Sequence, residues 1–191
     1  MQQAVNNKER IILGIDPGTA VMGYGLIKEI GSKTELISLG VVKMDKIDDH
    51  MLKLQRIFEK TVALIDNYKP DCLAIEAPFY GKNIQVMLKL GRAQGVAMAA
   101  ALSRSVEVTE YSPRKIKQSI TGNGNATKEQ VAAMLQRLLN FTETSDFLDA
   151  TDGLAVAVCH SFQKISTAKS GSKKSYSGWD TFVKDNAKRI V

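Results

Sequence analysis

The 191-residue chain is 44% apolar and 24% charged, the proportions of a globular protein with one full core rather than of a disordered or fibrous one. Its two cysteines, Cys72 and Cys159, lie far apart inside apolar runs, so neither a disulfide framework nor a zinc site is suggested, and a reducing compartment fits best. The net charge of +6 is unevenly spread: residues 1–163 are almost balanced, while residues 164–191 carry seven Lys and Arg against two acids.

The chain therefore reads as one domain, residues 1–163, followed by a basic tail, 164–191, that is expected to be mobile. The opening "MQQAVNNKER" lacks the apolar core of a signal peptide, and no later apolar run reaches the length of a membrane span. A cytoplasmic protein without membrane attachment is expected.

In chain order, "RIILGID" is an apolar run of strand length that ends in Asp16 and is followed at once by Pro17 and Gly18. A carboxylate at the end of a strand buried on both faces needs a reason, because a buried acid is costly unless paired. "VMGYGLIKE" and "TELISLGVVK" follow, separated by "IGSK", and predict a hairpin. "DDHMLKLQRIFEKTVALIDNY" carries apolar residues near helical spacing, with Asp48 or Asp49 as cap. "CLAIEA" is a short strand that again ends in an acid, Glu76, before the loop "PFYGKN". "IQVMLKLGRAQGVAMAAALS" predicts a long Ala-rich helix lying against the sheet or against a second subunit.

"SVEVTEY" is a further strand, and "SPRKIKQSI" a short basic helix with Pro113 in its first turn. "TGNGNAT" is a turn-rich loop, and Thr127 with Gln130 forms a capping box for a helix from Lys128 to Asn140. "SDFLDATDGLAVAVCHSF" predicts a last helix, polar at its start and apolar beyond. Three strands and then alternating helices and strands predict an α/β domain with a mixed central sheet flanked by helices. That order is shared by ribonuclease H-like nucleases and by ATPases of the actin and Hsp70 type.

The acids bear on the choice. Asp149 and Asp152 stand three apart on one face of the last helix, so Asp16, Glu76, Asp149 and Asp152 form a candidate catalytic and metal-binding set. Four carboxylates at one end of a sheet repel one another unless cations join them. Oxygen-only donors suit Mg²⁺, with Mn²⁺ as a substitute, and such a set can hold two ions about 4 Å apart around a phosphodiester. Each acid also has a structural reading: Asp149 and Asp152 as helix N-terminal acids favoured by the dipole, Asp16 as a turn residue before Pro-Gly. His160 lies too far along the helix from Asp152 to share a first metal shell, and "GNG" lacks the Lys and Ser/Thr of a P-loop.

Basic residues thicken between Tyr80 and Ile120, with seven Lys and Arg against two acids. Lys82, Arg114 and Lys115 are candidate phosphate contacts, and Phe79 and Tyr80 could stack on bases.

The blocks "IILGIDPGTAVMGYGLI", "LAIEAPFYGKN", "LKLGRAQGVA", "TEYSPRKIKQSITGNGNATKEQV" and "DATDGLAVAVCH" resemble, in the same order, the RuvC family of bacterial Holliday junction resolvases. The resemblance implies a ribonuclease H-like fold and a homodimer that binds a four-way DNA junction in recombination and repair. It implies paired symmetric nicks leaving 5′-phosphate and 3′-hydroxyl ends, with RuvA and RuvB branch-migration proteins as partners. By motif, Asp16, Glu76, Asp149 and Asp152 match the family's metal-binding acids, Phe79 its base-engaging aromatic, and Lys117 and Lys128 basic residues near the scissile phosphate. The tail extends past the family's usual compact end, and its charge suggests added nonspecific DNA affinity. Two other readings remain at this point: a ribonuclease H-like enzyme acting on RNA or other branched DNA, and an actin or Hsp70-like ATP-binding domain, since "GIDPGT" also resembles that fold's phosphate loop.

Overall fold

The computed structural model describes residues 9–78, 81, 83–142 and 147–169, with residues 147 and 164–169 described by their backbone alone. Strands β1 (Glu9–Asp16), β2 (Val21–Ile30) and β3 (Lys33–Lys43) form an antiparallel meander, turned between β2 and β3 at Gly31 with φ of 63°. Helix α1 (His50–Tyr68) then leads to β4 (Cys72–Glu76), and α2 (Ile84–Leu102) leads to β5 (Glu107–Tyr111). Both later strands are parallel to β1, giving the order β3-β2-β1-β4-β5. Helices α3 (Pro113–Thr121), α4 (Lys128–Leu139) and α5 (Phe147–Lys169) follow and complete the described residues. The mixed α/β sheet expected from the element order is the one observed.

Period-two alternation divides the core. Leu13 and Ile15 of β1, with Leu73 and Ile75 of β4, join the apolar cluster that includes residues of α1 and α2. Ile12, Cys72 and Ala74 belong to the opposite cluster, with residues of α3, α4 and α5. By the same alternation Asp16 and Glu76 fall on the α5 face. Because β1 and β4 are parallel neighbours, both acids leave the sheet at the same edge. No helix among the described residues is long and apolar enough to cross a membrane.

Local chemistry sets the helix ends. Asp49 caps α1, its Oδ1 accepting from Met51 N at 2.6 Å and Leu52 N at 3.2 Å. Thr127 and Gln130 form the expected capping box on α4. Helix α5 continues to Lys169, past the boundary expected at 163. The reason is local: "KISTAK" contains neither Gly nor Pro, and the next glycine is Gly171. The remainder of the tail lies outside the described residues.

Candidate active site

Asp16 ends β1, and the turn after it demands glycine: a Cβ on Gly18 would stand 1.9 Å from the carbonyl oxygen of Val21. Glu76 ends β4, where the Ala77 N–H donates to Tyr111 O at 2.8 Å and holds the strand end against β5. The other two acids come from α5, whose backbone lies directly on the sheet. A Cβ on Gly153 would be 2.5 Å from Gly23 C, and one on Gly14 only 2.3 Å from Gly153 O. Glycine at these crossing points lets α5 approach until backbone meets backbone, which brings the first turn of α5 level with the ends of β1 and β4.

A cleft of about 660 Å³ opens there, lined among others by Asp16, Glu76, Asp152, Arg114, Lys117 and Lys128. Three of the four expected acids thus share one cavity. Asp149 does not line it; its side chain is 51% exposed at the rim, against 17% for Asp152, and its Oδ1 lies 3.8 Å from Lys128 Nζ. Lys128, placed at the start of α4 by the capping box, reaches across to α5 and donates to Asp152 Oδ2.

The electrostatics follow from burial. Asp16 is raised to about 6 by burial first, then by the charges of Asp152 and Asp149, with Lys128 opposing. Glu76 is raised to about 8 by burial and by the neighbouring Asp16 and Asp152, against Lys128 and Lys117. Burial also raises Asp152, although its hydrogen bond from Lys128 works the other way. Burial pulls Lys128 down, but the Asp152 hydrogen bond and the surrounding carboxylates outweigh it and its pKa is raised. One ammonium therefore offsets part of a cluster that is short of positive charge.

The donor chemistry suits a hard divalent cation: every anionic group is a carboxylate, and two hold protons well above the usual carboxylate range. Among the described residues, no three His, Cys, Asp or Glu side chains are gathered into a ready metal shell. Lys128 is the cation that the acids share instead.

Arg114 of α3 flanks the cleft, packed so closely over Gly124 that a Cβ there would meet its Cγ at 2.6 Å. Lys115 does not line the cavity, since successive positions on a helix point about 100° apart. Phe79, Tyr80 and Lys82 lie outside the described residues. Asn125, in the "TGNGNAT" loop expected to be only a turn, also lines the cleft; it stands two residues ahead of the capping-box Thr127. His160 is buried away from the acids. Arg10 Nη2 can only donate, so Nε2 of His160 accepts at 2.5 Å, and Nδ1–H then faces Tyr111 Oη at 2.8 Å. Burial pushes that tyrosine up to about 12.

The chain matches the family model described as "Crossover junction endodeoxyribonuclease RuvC" over residues 12–160. A protein of that name from Christiangramia forsetii is 60% identical over 189 residues, covering 99% of this chain and 97% of the relative. One from Bacteroides fragilis is 56% identical over 185 residues, covering 96% and 97%. These alignments run far into the basic tail, so the extension is shared with those relatives. The solved structure of T. thermophilus RuvC in complex with Holliday junction substrate superposes with a TM-score of 0.73 at 30% identity, covering 83% of this chain and 96% of that one. Five sequence blocks, a sheet that delivers two acids to one edge and a glycine-seated helix that supplies a third agree with these matches: the chain belongs to the RuvC family.

Proposed function

We propose that this protein is a structure-selective endonuclease that resolves four-way DNA junctions by paired symmetric nicks, in homologous recombination and DNA repair. The observation that carries the reading is the convergence of Asp16, Glu76 and Asp152 with Lys117 and Lys128 in one cleft. Acids alone would suit many metal enzymes; acids lined by ammonium groups suit a phosphodiester. The relatives named as crossover junction endodeoxyribonucleases support the substrate.

Hydrolysis forms a bond from water oxygen to phosphorus, breaks the bond to the 3′ oxygen and delivers a proton to that oxygen, leaving 5′-phosphate and 3′-hydroxyl ends. Asp16, Glu76 and Asp152 would hold the cation, with Asp149 closing the set from the rim. Mg²⁺, or Mn²⁺ in its place, fits these donors, and two ions are proposed. Bound there, the metal supplies Lewis-acid stabilisation of the phosphate and activation of the attacking water. Lys117 and Arg114 orient the strand through its phosphate oxygens, and Lys128, released from Asp152, offsets developing charge. Phe79 is assigned to the bases at the crossover, with Tyr80, Lys82 and Lys115 as further DNA contacts.

A two-fold junction calls for a homodimer. Helix α2 offers the surface: Ile84 is 71%, Leu88 51% and Leu102 61% exposed, and nothing stands within 4 Å of a Cβ at Gly91 or Gly95. RuvA and RuvB complete the proposed machinery, in the cytoplasm.

The test is a synthetic four-way junction with Mg²⁺, comparing wild type with Asp16→Asn. Wild type is expected to give paired nicks, and the variant to bind without nicking. Equal cutting by both would remove Asp16 from the mechanism.

A further inference from the structure

Gln94 is a buried polar residue in the Ala-rich helix α2, only 8% exposed. Its amide nitrogen donates to two acceptors on different strands: the backbone carbonyl of Glu76 at 3.3 Å and the carboxylate of Glu110 at 2.8 Å. Both partners can only accept, which fixes the amide orientation, and its two hydrogens serve one acceptor each. Glu110 lies beside Ile75 in the β4–β5 register, so its side chain projects to the α2 face. Gln94 therefore grips β4 from the face opposite to the one on which the Glu76 carboxylate works.

We infer that Gln94, anchored by Glu110, is a positioning residue for Glu76. This inference rests on the reading of Glu76 as a metal-holding acid. Glu76 is the last residue of its strand, and beyond it one ladder bond, Ala77 N to Tyr111 O, continues the pairing. A strand end held on one side can pivot, and a pivot at the backbone is magnified at the carboxylate. The Gln94 amide supplies the second restraint. Helix α2 also carries the exposed stripe that includes Gly91 and Gly95, and these two glycines span the helical turn that holds Gln94. The same turn that would seat a partner helix thus holds the strand end that presents the acid.

The test compares Gln94→Leu, which keeps volume but removes both donors, with Gln94→Arg, which keeps donors facing both acceptors, and with Glu110→Ala, an exposed position that removes only the anchor. Two readouts are taken on the full chain: single-turnover nicking of a four-way junction against Mg²⁺ concentration, and the Mg²⁺ concentration at half-maximal rise in Tm. Gln94→Leu is expected to nick about tenfold or more slower at wild-type junction affinity, with the half-maximal Mg²⁺ concentration raised several-fold in both assays. Glu110→Ala shows a smaller loss in the same direction, the double variant is no worse than Gln94→Leu because both act through one contact, and Gln94→Arg recovers most of the rate. Unchanged Mg²⁺ dependence in Gln94→Leu and Glu110→Ala overturns the inference, as does a double variant with fully additive losses. Should wild type itself fail to nick the junction, the functional reading falls, while the Mg²⁺ dependence of Tm still decides the role of Gln94.

Discussion

The two faces of the sheet are packed by opposite means. Toward α1 and α2 the contacts are made by large side chains, Leu13, Ile15, Leu26, Leu73 and Ile75 among them. Toward α5 they are made at the crossing points by glycine, with backbone against backbone at Gly14, Gly23 and Gly153. Side-chain packing has some slack, because rotamers and small shifts absorb a changed volume; backbone contact has none. The face without slack carries the carboxylates, so acid placement is set on one side of the sheet and bulk stability on the other.

That division can be broken by substitution. Gly153→Ala is expected to have the largest effect, because its new methyl must displace the backbone of β2 or lift α5. It should cost about 1–3 kcal/mol of stability and slow nicking about a hundredfold in the molecules that remain folded. Leu73→Ala, fully buried on the opposite face, should cost as much or more, about 2–5 kcal/mol, yet leave nicking by the folded fraction near normal. Urea melts with single-turnover assays at a permissive temperature measure both. Equal loss of activity in the two variants would abolish the distinction between the faces.

Acidity sharpens the same contrast. In the folded chain Asp16 and Glu76 titrate at about 6 and about 8, so the folded chain retains protons that the unfolded chain has already released above about pH 4. Stability of the metal-free protein is therefore fully present below that range and is lost as pH rises through about 6 and then about 8. The Tm in chelator should fall between about pH 4 and pH 8 and level off above, and saturating Mg²⁺ should flatten the fall. Lys128→Met should steepen it, because the shared ammonium is gone; the difference from wild type should be clear at alkaline pH and small in acid. A Tm in chelator that rises with pH contradicts the assignment. The smallest effect is expected from Ile15→Val, one residue before Asp16 but pointing to the other face: about 0.5–1.5 kcal/mol of stability, with nicking unchanged.

Much of this was readable from sequence, for physical reasons. Asp16 and Glu76 stand out because each ends a run of strand length, and in strands the alternation that buries Leu13 and Leu73 on one face also sends both acids to the other. Lys128 follows from the Thr127–Gln130 box that starts its helix. What sequence did not show depends on partners far along the chain. Gln94 looks like one more polar residue of an Ala-rich helix, beside Gln85, Lys89 and Arg92, until Glu76 and Glu110 are seen around it. Asp149 and Asp152 share a helical face by spacing, yet Asp152 turns into the cleft with Lys128 while Asp149 stays at the rim. Lys115 shares the basic cluster of Arg114 and Lys117, but a single helical step takes it out of the cleft. The end of α5 is hidden because "KISTAK" has the lysine and serine content of the tail but no residue that breaks a helix.

The order of the acids along the chain has a consequence for synthesis. Asp16 comes from β1, Glu76 from β4, and Asp149 and Asp152 from α5. That helix docks on β1, β2, β3 and β4 together, a surface that forms only after those strands have paired. A chain leaving the ribosome consequently cannot bring the four carboxylates together before α5 has emerged, and gathers them in a late event when that helix settles. For an endonuclease, contacts that can form only after α5 has been made act as a safety catch.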